Sequence, residues 1–381
     1  MPKVAARGRI PPFIAMEMLR AANERAAIGH DVLHLEIGQP AARAPERVIE
    51  AARAALDRER LGYTEALGLP MLRERIAGHY RERYGIDVPP RRIAVTTGSS
   101  GAFLLGFLSA FDSGDRIALA SPAYPAYRNI LLALDLVPVD IPTGPETRFQ
   151  PTPALLEAAG GNLAGLIVAS PSNPAGTMID PPHFEALVSY CRQRDIRLVS
   201  DEIYHGITYG METVTAAALD NDAIVVNSFS KYFAMTGWRL GWMIVPEDLL
   251  RSVESLAQNL FISPPALSQH AGIAAFDCRP ELDTLVGQYA ENRARLLRDL
   301  PAAGFERFAP VDGAFYLYVD VGNLTNDSTA FCHRMLEETN VAATPGVDFD
   351  PVRGHRFLRF SFAGAPADIA RAAERLTAWR R

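Results

Sequence analysis

From residue 93 to 245 the chain alternates short, continuously apolar runs with helical stretches. IAVTTGSS (93–100) reads as a strand and turn, and GAFLLGFLSAF as a buried helix. DRIALAS (115–121) reads as a strand and PAYRNILLALD as a helix. LAGLIVAS (163–170) is a third strand, followed by PPHFEALVSYCRQRD (181–195), an amphipathic helix opened by prolines. IRLVSDEIY (196–204), AIVVNSFS (223–230) and RLGWMIV (239–245) read as further strands. A strand that is apolar at every position is covered on both faces. The pattern therefore demands an α/β fold, with a mostly parallel sheet of seven-stranded type between two helical layers. Ligands of such sheets bind beyond the carboxyl ends of the strands. The chemistry is expected just after each apolar run.

The rest of the chain builds a second, smaller body. Residues 247–304 are helical, and PELDTLVGQYAENRARLLRDL reads as one long helix ended by Gly304. GAFYLYVD (313–320) and RFLRFSFAG (356–364) read as strands around the helix STAFCHRMLEET, an α+β segment. The first forty residues, helical and then extended through LHLEIGQP, are expected to pack against it. This places a large domain at 40–285 and a small, discontinuous domain at 1–39 and 286–381.

Composition limits the remaining classes. With 381 residues, 48% of them hydrophobic, the chain can fill two cores and is not disordered. No apolar run approaches the ~20 residues of a membrane span. MPKVAARGRIPPF has no apolar core of signal-peptide type, so no membrane partner is expected. Cys191, Cys278 and Cys332 fit neither a disulfide framework nor zinc spacing. A reducing, cytoplasmic location and no metal site are expected. The net charge of −6 argues against nucleic acid as a partner.

The strand ends are polar and chemically varied. After the first strand stands GSSGA (98–102), whose free backbone N–H groups at a helix start suit a phosphate, and equally an ordinary turn. Tyr124, in SPAYPAY, could stack on a flat ring or be an ordinary packed tyrosine. Asn173 sits in the rigid turn PSNPAGT, where a self-satisfied turn asparagine is the plain alternative. Asp201 ends a buried strand and needs a partner, either a helix N-terminus or a protonated ring nitrogen. Tyr204 follows three residues later.

The last strand end is the most telling. SFSKYFAMTGWRLG (228–241) crowds Ser228, Ser230, Lys231 and Arg239 together. Of the 38 basic residues only Lys3 and Lys231 are lysines. Arginine does nearly all the surface work, yet only lysine can lose its proton and attack a carbonyl carbon. A lysine at the end of a buried strand loses hydration and becomes a better nucleophile. A phosphate cradle, a stacking aromatic, an anion for a ring nitrogen, hydroxyl donors and an amine at one sheet edge together call for pyridoxal 5′-phosphate.

The SNPAGT, SDEIY and SFSKYFAMTGWRLG motifs, in this order, resemble those of the class I/II aminotransferases, pyridoxal-phosphate enzymes of the aspartate aminotransferase fold (fold type I). The resemblance runs from IPPFIAMEMLRAAN through GYTEALGLPMLRERIA to RFLRFSFAG. It implies that Lys231 binds the cofactor as an imine and later serves as the proton-transferring base. It implies that Asp201 pairs with the pyridine nitrogen, that Tyr204 and Asn173 hydrogen-bond the phenolic oxygen, and that Tyr124 stacks on the ring. Ser99, Ser100, Ser228 and Arg239 would hold the phosphate. Tyr63 would reach the neighbouring subunit's cofactor, making a homodimer with shared sites. Arg359 would clamp the substrate carboxylate, with Asn173 and the Gly38 N–H.

The implied activity is transfer of an amino group between an L-amino acid and a 2-oxo acid in ping-pong fashion. One family feature is missing, since no spare cation stands ready for a distal carboxylate. That favours neutral or aromatic amino acids over aspartate. The nearest alternative is a carbon–sulfur β-lyase of the same fold. A different class of alternative is a non-catalytic pyridoxal-phosphate-binding regulator. Such regulators carry an appended DNA-binding domain, for which no room is expected here.

Overall fold

The computed structural model describes residues 2–379; Met1, Arg380 and Arg381, at the outer limits of the expected small domain, lie outside the described residues. Its centre is a seven-stranded sheet. In chain order the strands are β1 (Ile93–Thr96), β2 (Arg116–Ser121), β3 (Val137–Pro142), β4 (Gly165–Ala169), β5 (Arg197–Asp201), β6 (Ile224–Ser228) and β7 (Gly241–Ile244). Their spatial order is β1-β7-β6-β5-β4-β2-β3. All are parallel except β7, which runs antiparallel to both β1 and β6.

The apolar runs divide between the two faces as strand periodicity requires. Ile167, Val199, Ile224, Val226 and Met243 pack with Phe103 and Phe107 of the helix Ser99–Ala110. Their alternates Leu166, Val168, Leu198, Val225 and Trp242 face the other layer. Burying each such side chain contributes about 1.5–3 kcal/mol, which is why the middles of these strands are apolar.

Six of the seven strands coincide with the apolar runs, and the seventh, β3, does not. Its sequence VPVDIP carries Pro138 and Pro142 and is half exposed. It lies at the sheet edge, where a proline forfeits no ladder hydrogen bond. The run 196–204 also ends sooner than its composition suggests. β5 stops at Asp201 and the chain turns, so Tyr204 is not on the strand.

The second body is a four-stranded antiparallel sheet. Its strands are β8 (Arg307–Phe308), β9 (Tyr316–Asp320), β10 (Thr344–Pro345) and β11 (Phe357–Ser361), in the order β10-β11-β9-β8. The N-terminal segment joins this body. After the helix α1 (Ile14–Ala27), Leu33–His34 pairs in parallel with Val341–Ala342. The expected boundary at 285/286 falls inside one unbroken helix, α2 (Arg279–Asp299), which then tightens and ends at Gly304. Among the described residues no helix is long and apolar enough to cross a membrane.

Candidate functional site

A cavity of about 570 Å³ opens where the carboxyl ends of the large sheet meet the small one. Lys231, three residues past β6, reaches into it. Its Nζ donates to the Gly38 carbonyl at 2.6 Å. Burial lowers its pKa to about 8, helped by the positive charges of Arg359 and Arg239. Asp201, at the end of β5, is 4% exposed. Its Oδ1 accepts the Ile203 N–H at 3.1 Å and its Oδ2 accepts the Tyr127 hydroxyl. Burial raises the Asp201 carboxyl to about 6, while these donors and Lys231 oppose the rise.

An anion cradle forms after β1. The turn at Gly98 (φ +77°) starts the helix Ser99–Ala110, and Ser99 and Ser100 line the cavity. The Arg239 guanidinium lies over that turn. A Cβ at Gly98 would stand 2.6 Å from its Nη2, so only glycine lets the cation approach the helix start. Tyr124 forms another wall, edge-on to Phe13 and Tyr127 at centroid distances of 5.7 and 5.3 Å.

Arg359, in the middle of β11, closes the opposite end and is 3% exposed. Its Nη1 donates to Asn173 Oδ1 at 2.9 Å, and its Nη2 to the Glu36 carbonyl at 2.5 Å and Thr344 Oγ1 at 3.2 Å. The guanidinium sits between the rings of Tyr316 (4.4 Å) and Phe349 (4.8 Å). Its Nε is buried with no partner, a donor still free for an anion.

Ten of the twelve residues singled out from sequence line this one cavity: Gly38, Ser99, Ser100, Tyr124, Asn173, Asp201, Tyr204, Lys231, Arg239 and Arg359. Ser228 lies behind the wall, its hydroxyl donating to Ser230 Oγ at 2.9 Å and near the Leu240 carbonyl at 3.1 Å, so Ser230 presents the hydroxyl there. Tyr63 is 83% exposed and outside the cavity of its own chain. At Gly38 it is the carbonyl, accepting from Lys231, that is engaged.

Several lining residues went unread in the sequence. Tyr127 holds Asp201, and Tyr316 pairs with the Tyr204 hydroxyl at 2.7 Å. Tyr127 stands one helical turn after Tyr124, and a tyrosine inside the strand FYLYVD needs a partner for its hydroxyl. Both signals were present. Phe13, just before helix α1, and Met16 and Leu19 within it also reach the cavity, more than 200 residues before Lys231 in the chain; nothing local announces that.

Residues 30–376 match the family described as aminotransferase class I and II. The chain is 51% identical to the valine–pyruvate aminotransferase of Mycobacterium tuberculosis, over 99% of this chain and 98% of that one. It is 33% identical to the aspartate/prephenate aminotransferase of Thermus thermophilus, over 91% and 90% respectively. The crystal structure of an aminotransferase from Mycobacterium tuberculosis superposes with a TM-score of 0.98 at 51% identity, covering 100% of this chain and 99% of that one.

Proposed function

The chain belongs to the class I and II aminotransferases, and from that premise we propose how its residues carry out the transfer of an amino group between an amino acid and a 2-oxo acid. Enzymes of this family work with pyridoxal phosphate. The observation that carries the reading is the convergence, in one cavity, of a buried low-pKa amine, a buried carboxylate, an arginine-backed helix start and a second arginine with an unused N–H.

These residues fit the cofactor. Ser99, Ser100, Ser230 and Arg239, with Ser228 behind, hold its phosphate. Tyr124 lies against the ring, Asp201 faces the ring nitrogen, and Asn173 and Tyr204 face the phenolic oxygen. When bound, the cofactor supplies a conjugated ring that withdraws electrons from the substrate's Cα. Arg359 takes the substrate carboxylate through its guanidinium edge and so fixes which Cα bond faces Lys231. Lys231, lowered to about 8 so that part of it is free amine near neutral pH, takes the proton from Cα. In this reading residues 40–285 form the part that holds the cofactor, and 1–39 with 286–381 the part that carries Arg359. The enzyme is a cytoplasmic homodimer, and exposed Tyr63 completes the phosphate cradle of the partner subunit. The three buried free cysteines suit a reducing compartment.

The amino donor is neutral. The cations lining the cavity are Lys231, Arg239 and Arg359, and each already has a task. The wall facing the substrate side chain is apolar, made of Phe13, Ala15, Met16, Leu19 and Ile37. A valine–pyruvate aminotransferase at 51% identity supports the same choice. The test mixes holoenzyme with single amino acids and follows loss of the cofactor's aldehyde-state absorbance. Valine, alanine or phenylalanine should react faster than aspartate. A faster response to aspartate overturns the neutral-donor reading, and pyruvate released from cysteine without an oxo acid points to β-elimination instead.

A further inference from the structure

Helix α1 supplies the apolar wall, yet nothing in its own sequence caps its N-terminus. The residue before it is Phe13, which has no side-chain acceptor, and Pro11 and Pro12 precede that. The first N–H groups of a helix need acceptors. Here they come from 334 residues away: Asp348 Oδ1 accepts the Ile14 N–H at 3.0 Å and Oδ2 the Ala15 N–H at 3.1 Å. A carboxylate at this end also meets the positive pole of the helix.

Asp348 is 7% exposed and sits in a tight turn that touches two other parts of the site. The ring of the next residue, Phe349, lies against the Arg359 guanidinium at 4.8 Å. The Phe349 carbonyl accepts the Ala123 N–H at 3.1 Å, beside Tyr124. The turn itself is closed by the Asp350 N–H to the Gly346 carbonyl and the Gly354 N–H to the Asp350 carbonyl, at 3.0 and 2.9 Å. The far end of α1 is pinned separately, by Arg25 donating to Asn340 Oδ1 and the Glu337 carbonyl, both at 2.6 Å.

We propose that Asp348 is a positioning residue for substrate side-chain recognition: by capping α1 from a distance it holds Phe13, Met16 and Leu19 in register with the carboxylate clamp Arg359. A donor fixed at its carboxylate by Arg359 is read further out by α1, so the register between the two sets how well a longer side chain fits. The inference rests on the proposed reading that α1 faces the substrate side chain.

The test uses Asp348→Asn holoenzyme, which keeps one acceptor and turns an amide N–H₂ toward a helix N–H. Steady-state constants are measured with a series of donors of increasing side-chain length, from alanine through 2-aminobutyrate to valine and leucine. The loss in kcat/KM should grow along the series, within about twofold for alanine and about tenfold for the longer donors, through KM rather than kcat. Arg25→Gln, at the far pin, should leave the valine-to-alanine ratio within about twofold. An equal loss for every donor overturns the proposal, because Asp348 would then act through its charge near Arg359 or through the fold at large. No loss overturns it too. Amide exchange separates this from the donor reading. In Asp348→Asn the 14–19 segment should exchange about tenfold faster, with 341–361 unchanged. Unchanged exchange at 14–19 overturns the cap whichever donor the wild type prefers.

Discussion

The end of β5 carries two carboxylates in consecutive positions, and the fold treats them in opposite ways. Asp201 and Tyr204 point to the cavity, while Glu202 and His205 point into the protein. Both carboxylates are buried, at 4% and 1% exposure, so burial does not distinguish them. Their partners do. Asp201 has two donors and lies near Lys231. Glu202 Oε1 accepts the Ala216 N–H at 2.8 Å and the Ser200 hydroxyl at 3.2 Å, but Oε2 has no donor.

The neighbour of Oε2 is His205 Nδ1, 3.5 Å away. His205 Nε2 lies 3.0 Å from the Ser170 carbonyl, which can only accept, so Nε2 carries the proton. Nδ1 then accepts the Tyr84 hydroxyl at 2.8 Å. Burial lowers the His205 pKa to about 3, which keeps the ring neutral. The approach is therefore not an ion pair, and burial raises Glu202 to about 8. The comparison teaches that a buried carboxylate stays charged where a cation and a cavity face it, and stays protonated where no positive charge does.

Four experiments press on this contrast. On the cavity side, Lys231→Arg keeps the charge but removes the amine proposed as nucleophile and base. Turnover should fall by roughly four orders of magnitude, and the visible absorption of the lysine-bound cofactor should vanish. Transamination at near wild-type rate would refute the role of Lys231. Asp201→Asn removes the anion proposed to face the ring nitrogen, and the single-turnover rate with valine should fall about a thousandfold. Cofactor capture by apoenzyme should depend on the unprotonated amine. Below pH 8 its rate should drop by roughly tenfold per pH unit, since Lys231 is lowered to about 8 and protonates there. A rate flat from pH 6 to 9 would remove the amine from that step.

On the core side the effects should be smaller. Glu202→Gln is the isostere of a protonated acid and should keep kcat within about threefold. Its signature lies in stability. Glu202 is raised from 4.5 to about 8, so between those pH values the native state holds a proton that the unfolded state has lost. Wild-type stability should then fall with rising pH through this window relative to Glu202→Gln, by up to about 1.4 kcal/mol per pH unit. Parallel denaturation curves for the two proteins at every pH would show that Glu202 is ionised after all.

Much of this was readable along the chain. Strands that are apolar throughout must be covered on both faces, so the mostly parallel sheet and the position of Lys231 just past the end of a buried strand follow from hydrophobic burial. The edge strand VPVDIP escaped because prolines are harmless only where no neighbour needs the N–H, and edge position is not written locally. Asp201 and Glu202 look equivalent as letters; Asp201 ends the strand and Glu202 begins the turn, and only packing decides which of them meets a cavity.

What the sequence by itself determined is the order of elements and the kinds of groups at the strand ends, because burial and backbone preference act over a few residues. The tertiary structure alone decided which distant groups complete them. Tyr316 came to Tyr204, Glu36 and Asn173 to Arg359, and Asp348 to the start of α1. These are hydrogen bonds between groups 112 to 334 residues apart. Their partners are chosen by geometry after the chain has closed, so no local pattern encodes them.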